Sequence, residues 1–141
     1  FTVDPYMIYQ ARTLGASGIL LICSLLSQSE LEEYQAIATE LGMSALVEAH
    51  DEREVEMALR AEASIIGVNN RNLKTFTVDI NNSARYRKMV PKEVSFVSES
   101  GIKTAEDIAK LLENGTDAVL IGETLMRSEN KKQALDELRG M

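Results

Sequence analysis

The sequence predicts an α/β fold resting on a parallel sheet, and three observations predict it. Short, almost continuously apolar runs recur along the 141 residues; a helical pattern with its own start and stop signals lies between them; and polar residues gather just after the runs end. Runs of this size bounded by turn signals read as strands. Their continuous apolarity, in place of strict alternation, reads as burial on both faces, as in parallel sheets.

The elements follow in order. Asp4 and Pro5 supply an N-cap and a first-turn proline for a helix through YMIYQAR. GILLIC (18–23) is the first strand. Ser29 and Glu32 read as a capping box for the next helix, which Gly42 can end. ALVEA (45–49) follows as a strand, and Asp51 opens a helix through Leu59. SIIGVN (64–69) precedes a helix with few signals of its own, from about Asn81 to Met89, that Pro91 stops. After VSFVSE (94–99), Thr104 caps IAKLLE and Asn114-Gly115 ends it. AVLIGE (118–123) is the fifth strand, ETLMR a short helix, and Lys131–Leu138 the last helix.

Five strand and helix units require right-handed crossovers, which an open doubly wound sheet and a closed barrel both satisfy. No GxGxxG follows the first strand and no Walker sequence occurs, so the barrel is favoured. A complete barrel needs eight strands in about 250 residues. The expectation is therefore one partial domain over residues 1–141, the C-terminal part of a (β/α)8 TIM barrel with about five strands.

Composition narrows the function. The formal charge of −7, with no run of Lys and Arg, argues against nucleic acid and anionic lipid as partners. No apolar run of about 18 residues marks a membrane span, and no basic n-region marks a signal peptide. A cytoplasmic protein with no membrane partner is expected. One cysteine, Cys23, and one histidine, His50, exclude an internal disulfide framework and a cluster of Cys and His metal ligands.

The polar residues at the strand ends carry the functional signal. In a βα barrel that rim holds the chemistry, because its loops bring groups from several strands around one mouth. Glu48 and Glu99 are acid–base candidates there, since partial desolvation raises a carboxyl toward a useful pKa. Ser100-Gly101 and Gly122 offer small residues through which a phosphate could approach backbone N–H groups, with Glu123 acting through its amide. Plainer readings stand beside these. The glycines fit turns, Ser100 fits a cap, Asn69 and Asn70 fit a turn, Arg71 fits a surface ion pair, and His50 fits loop structure.

The strings LVEAHDE, IIGVNNRNLKTF, VSESGIKT and AVLIGETLMR, in this order and strand phase, resemble the indole-3-glycerol-phosphate synthase family, and DPYMIYQARTLGA resembles that family's third helix. The resemblance covers essentially the whole chain. It implies ring closure and decarboxylation of 1-(2-carboxyphenylamino)-1-deoxyribulose 5-phosphate, an anionic phosphate-sugar anthranilate, with no cofactor and no metal. By that resemblance Glu48 matches the acid–base carboxylate, Asn69 the amide orienting the reacting centre, and Glu99 a carboxylate positioning substrate hydroxyl and lysine groups. Arg71 matches an anion partner for the anthranilate portion. Ser100, Gly101, Gly122 and Glu123 match the phosphate turns, and Phe1, Leu20 and Leu73 the apolar wall around the ring.

In the family the phenylalanine matched by Phe1 comes just after a lysine that acts as general acid, and a second lysine and another glutamate lie on the first strand. This sequence opens after them. Loss of a general acid costs on the order of 100-fold to 10,000-fold, so the chain by itself is expected to be inactive or nearly so. Its two open sheet edges predict self-association as a homo-oligomer. Two other functions fit the same residues: another phosphate-sugar barrel enzyme such as phosphoribosylanthranilate isomerase, or a non-catalytic partial barrel that binds phosphate and associates with itself.

Overall fold

The computed structural model describes residues 1–72 and 75–140. In chain order the elements are α1 (Pro5–Thr13), β1 (Gly18–Ile22), a 3-10 turn (Cys23–Leu25), α2 (Gln28–Glu40), β2 (Ser44–Ala49), α3 (Glu52–Arg60) and β3 (Ile65–Asn69). They continue as α4 (Asn81–Arg87), β4 (Ser95–Glu99), α5 (Ala105–Glu113), β5 (Ala118–Leu120), α6 (Glu123–Arg127) and α7 (Lys131–Leu138).

The strands form one parallel sheet in the order β1-β2-β3-β4-β5. Parallel crossovers are right-handed, so an order without reversal leaves the helices on one face of the sheet. Leu21, Val47, Ala49, Ile66, Val68 and Phe96 point to that face. They join Ile8, Leu31, Tyr34, Ala38, Val55, Ala58 and Tyr86 from the helices in one buried core. Parallel partners in register share a face. The pairings Ile22–Glu48, Glu48–Gly67, Gly67–Val97, Asn69–Glu99 and Glu99–Leu120 therefore put Glu48, Asn69 and Glu99 together on the opposite face, at the C-terminal end of the sheet.

Local signals account for the helix ends. Asp4, Asp51 and Thr104 each accept a backbone N–H of the turn they open, an interaction worth about 1 kcal/mol per cap. One expectation shifts. The capping box at the start of α2 is Ser27 with Glu30, not Ser29 with Glu32: Ser27 N–H donates to Glu30 Oε2 at 2.7 Å, and Glu30 N–H donates to Ser27 Oγ at 3.3 Å. Two Ser-x-x-Glu strings overlap here. The earlier start wins because the tight 3-10 turn delivers the chain at Ser27 and the helix then buries Leu31, Tyr34 and Ala38 along one face.

Burial on both faces holds for the middle strands and fails at the edge. Four consecutive residues of β3 and of β4 are buried, whereas none of the three in β5 is, and Leu120 is 49% exposed. A strand with one neighbour lacks the second flank that would cover it.

Candidate active site

Glu48 near the end of β2, Asn69 at the end of β3 and Glu99 at the end of β4 are all buried. Asn69 Nδ2 donates to Glu48 Oε1 at 3.0 Å, and Asn69 Oδ1 accepts the Arg71 N–H at 2.9 Å, which fixes the amide's orientation. Glu99 reaches this group across Gly67. A Cβ on Gly67 would overlap Glu99 Oε1, so the missing side chain makes the channel through which the carboxyl passes.

The two carboxyls differ in charge. Burial raises Glu99, the adjacent negative charge of Glu48 and a hydrogen bond to it raise it further, and the group is pushed up to about 8. Its Oε1 is buried with no hydrogen-bond partner among the described residues, an arrangement that favours the neutral acid. Burial also acts to raise Glu48, but contacts from His50, Asn69 and Glu99 outweigh it and hold this carboxyl below its ordinary value. At neutral pH the site thus pairs an ionised acceptor, Glu48, with a protonated donor, Glu99. That division is the one acid–base chemistry requires.

His50 contributes to the asymmetry. Its Nε2 lies 3.1 Å from Glu48 Oε1 and its Nδ1 3.1 Å from Glu54 Oε2. The Glu48 contact first and the Glu54 contact second outweigh burial and push the imidazole up to about 9.

Glu99 opens onto a cleft of about 1290 Å³ whose lining does not include Glu48 or Asn69. Glu99, Ser100, Gly101, Gly122, Glu123 and Arg71 all line it, so the structure gathers both small-residue turns around one space. Ser100 and Gly101 have φ of 65° and 80°, a left-handed pair that turns the chain sharply out of β4. Thr124 Oγ1 donates to Ile102 O at 2.7 Å, which ties the start of α6 to that turn. The Glu123 carboxylate is paired with Arg71 Nη2 at 2.6 Å and Arg127 Nε at 3.1 Å.

The expected apolar wall is less well assembled. Phe1 is 79% exposed and lines neither this cleft nor a smaller cavity of about 390 Å³ beside Asn69, Arg71 and His50. Leu20 shares the Glu48 face but sits one tier nearer the strand N-terminus, paired with Leu46. Leu73 lies outside the described residues. Phe76, Val78 and Ile80, from the segment between β3 and α4, line the cleft instead.

Sequence reasoning also passed over Asn70. It is buried at the centre of a closed network: Nδ2 donates to Ser98 Oγ at 3.0 Å and Ser100 O at 3.1 Å, while Oδ1 accepts from Ser83 N at 3.1 Å and Ser83 Oγ at 2.9 Å. The knot joins the end of β3, the turn after β4 and the first turn of α4. Its only trace in the sequence is the second asparagine of Asn69-Asn70, a residue type that an ordinary turn also explains.

The family model described as indole-3-glycerol phosphate synthase matches residues 1–138. The chain belongs to the indole-3-glycerol phosphate synthase family. Among its relatives, the indole-3-glycerol phosphate synthase of Ruminiclostridium cellulolyticum is 60% identical over 140 residues, 99% of this chain and 54% of the relative. That of Leuconostoc mesenteroides is 52% identical over 140 residues, 99% of this chain and 53% of the relative. The chain thus spans about half the length of these relatives. Among solved structures, a thiamine phosphate pyrophosphorylase from Pyrococcus furiosus superposes with a TM-score of 0.75 at 18% identity, covering 94% of this chain and 62% of that one. A chain of the Pyrococcus furiosus tryptophan synthase complex gives a TM-score of 0.73 at 17% identity, over 97% of this chain and 58% of that one. These distant likenesses show the fold, part of a TIM barrel. In this member of the indole-3-glycerol phosphate synthase family, Glu48, Asn69 and Glu99 occupy the end of the sheet where such barrels carry their chemistry.

Proposed function

We propose that this chain supplies the C-terminal half of an indole-3-glycerol phosphate synthase active site, acting on 1-(2-carboxyphenylamino)-1-deoxyribulose 5-phosphate in tryptophan biosynthesis. The observation that carries the reading is the buried group of Glu48, Asn69 and Glu99 on one face at the C-terminal end of the sheet, Asn69 bonded to Glu48, beside a cleft lined by Glu99 and two small-residue turns. Glu48 takes and returns protons at the reacting centre. Asn69 holds its carboxylate in place, and Glu99 donates to a substrate hydroxyl. Ser100-Gly101 and Gly122-Glu123 receive the phosphate, Arg71 the anthranilate carboxylate, and Phe76 and Val78 flank the ring. Binding the remote phosphate supplies energy that orients the reacting centre.

The test is a chimera in which this chain follows the N-terminal half of the Ruminiclostridium relative. Indole-3-glycerol phosphate formation by the folded chimera, lowered on the order of 100-fold or more by Glu48→Gln, is the expected result. A folded chimera with no turnover, or one indifferent to Glu48→Gln, sinks the reading.

No helix among the described residues is long and apolar enough to cross a membrane, and a cytoplasmic location is the one the proposed biosynthetic role supports. The edge strands β1 and β5, with Leu120 half exposed, support self-association of the isolated chain. Light scattering showing a monomer at all concentrations would count against it.

A further inference from the structure

We infer that His50 is a positioning residue: clamped by Glu54, it holds the Glu48 carboxylate in the orientation in which Asn69 and Glu99 meet it. The inference rests on the reading of Glu48 as the acid–base group and adds a residue to that machinery. Glu54 grips His50 twice, accepting its backbone N–H at 2.8 Å and lying 3.1 Å from its ring Nδ1 with the same oxygen. Glu54 is itself fixed in the first turn of α3, where its own N–H donates to Asp51 Oδ1 at 2.9 Å. On the far side of the ring Nε2 lies 3.1 Å from the Glu48 oxygen that Asn69 also bonds, an ion-pair approach that is not aligned as a hydrogen bond.

A carboxylate within 3.1 Å of each ring nitrogen favours the doubly protonated ring, whose charge both acids attract; a neutral ring would turn a lone pair toward one of them. The groups facing the ring are consistent with that state. Glu48 comes from β2, Glu54 and Asp51 from the start of α3, Glu99 from β4, and Arg71 from beyond β3 as the one fixed positive charge in this set, while Cys23 of the 3-10 turn stands behind Glu54 and Glu48. Cys23, raised to about 12 by burial and by Glu54 and Glu48, remains a neutral thiol. The histidine therefore links the helix cap of α3 to the acid–base carboxylate of β2.

His50 is the only histidine in the chain, so its ring signals in an NMR spectrum need no assignment by mutation. In the 141-residue protein the ring is expected to titrate with a midpoint near 9, and Glu48→Gln and Glu54→Gln each to lower that midpoint by a unit or more. The Asn69 side-chain amide signals should show a component that moves with the same midpoint near 9, separate from the response to Glu99 near 8, and His50→Gln should abolish that component. A midpoint at or below the ordinary 6.5, or an Asn69 amide indifferent to the titration and to His50→Gln, overturns the inference. Should a variant fail to fold, the wild-type midpoint and the wild-type Asn69 response still decide. None of these signals depends on turnover, so a chimera that proved inactive would remove the catalytic reading of Glu48 while leaving this result to stand or fall separately.

Discussion

A side chain on Gly67 would occupy the space through which Glu99 reaches Glu48. Gly67 has no left-handed backbone to explain it; the reason is the approach of the carboxyl from the neighbouring strand. Gly67→Ala is therefore expected to cost about 1–3 kcal/mol through overpacking. In urea unfolding, combining it with Glu99→Ala should cost less than the sum of the two changes, because the second removes the obstacle. Strict additivity would show that the two residues do not share that space. A residual penalty remains, since Leu46 Cδ1 also lies 3.1 Å from the added carbon.

The buried acids predict how stability follows pH. The folded values of Glu99, about 8 against an ordinary 4.5, and His50, about 9 against 6.5, both lie above those of the unfolded chain. Native protein then binds those protons more tightly, so each contribution is full below the unfolded value and is lost as pH rises through the folded one. Glu48, held low, acts in the opposite sense, its contribution disappearing as pH falls through its depressed value. Thermal unfolding should show the highest Tm near pH 4.5, with a fall that begins there as Glu99 starts to lose its proton and steepens above 6.5 toward 9 as His50 follows. Glu99→Gln should flatten the part of that fall below about 8; an unchanged slope would mean that Glu99 is not the group responsible.

Asn70→Ala removes four hydrogen-bonding contacts at once and leaves Ser83 and Ser98 buried with fewer partners. The expected cost is about 2–3 kcal/mol in denaturant unfolding. Because Asn70 also holds Ser100 O, the turn lining the cleft should loosen, which faster amide exchange at Gly101 and Ile102 would reveal. A loss below about 0.5 kcal/mol would show that the network does not anchor the turn.

Glu123 places a half-exposed carboxylate beside the turns assigned to phosphate. Its ion pair with Arg71 is largely solvated, so Glu123→Gln should change stability by less than about 1 kcal/mol. Removing the negative charge beside Gly122 should tighten inorganic phosphate binding several-fold by calorimetry. Equal or weaker binding by the Gln variant would take the phosphate away from this cleft.

Much of this arrangement was legible in the sequence because it is local. Strand runs, the caps Asp4, Asp51 and Thr104, and the stops Gly42 and Gly115 all express preferences that residues have within a few positions of themselves. The strand-end position of Glu48, Asn69 and Glu99 was legible for the same reason, since a strand's last residues are marked by where its apolar run stops. Overlapping signals were not resolvable that way. Ser27 and Ser29 carry the same Ser-x-x-Glu string, and the choice between them came from which start buries Leu31, Tyr34 and Ala38.

By itself, then, the sequence determined a parallel α/β sheet of five strands and the three polar residues at or next to the ends of its middle strands, because burial and capping act along the chain. Tertiary structure alone decided what those residues do to one another. Sheet register set Glu48 beside Gly67 and Asn69 beside Glu99, which let one carboxyl cross the gap left by a glycine toward another. Burial raised both carboxyls, contacts from His50 and Asn69 lowered Glu48 alone and so separated their proton affinities, and His50, read along the chain as loop structure, became the contact between Glu48 and Glu54. Charge separation of this kind depends on distance and on exclusion of water, and neither quantity is written in the spacing of residues along a chain.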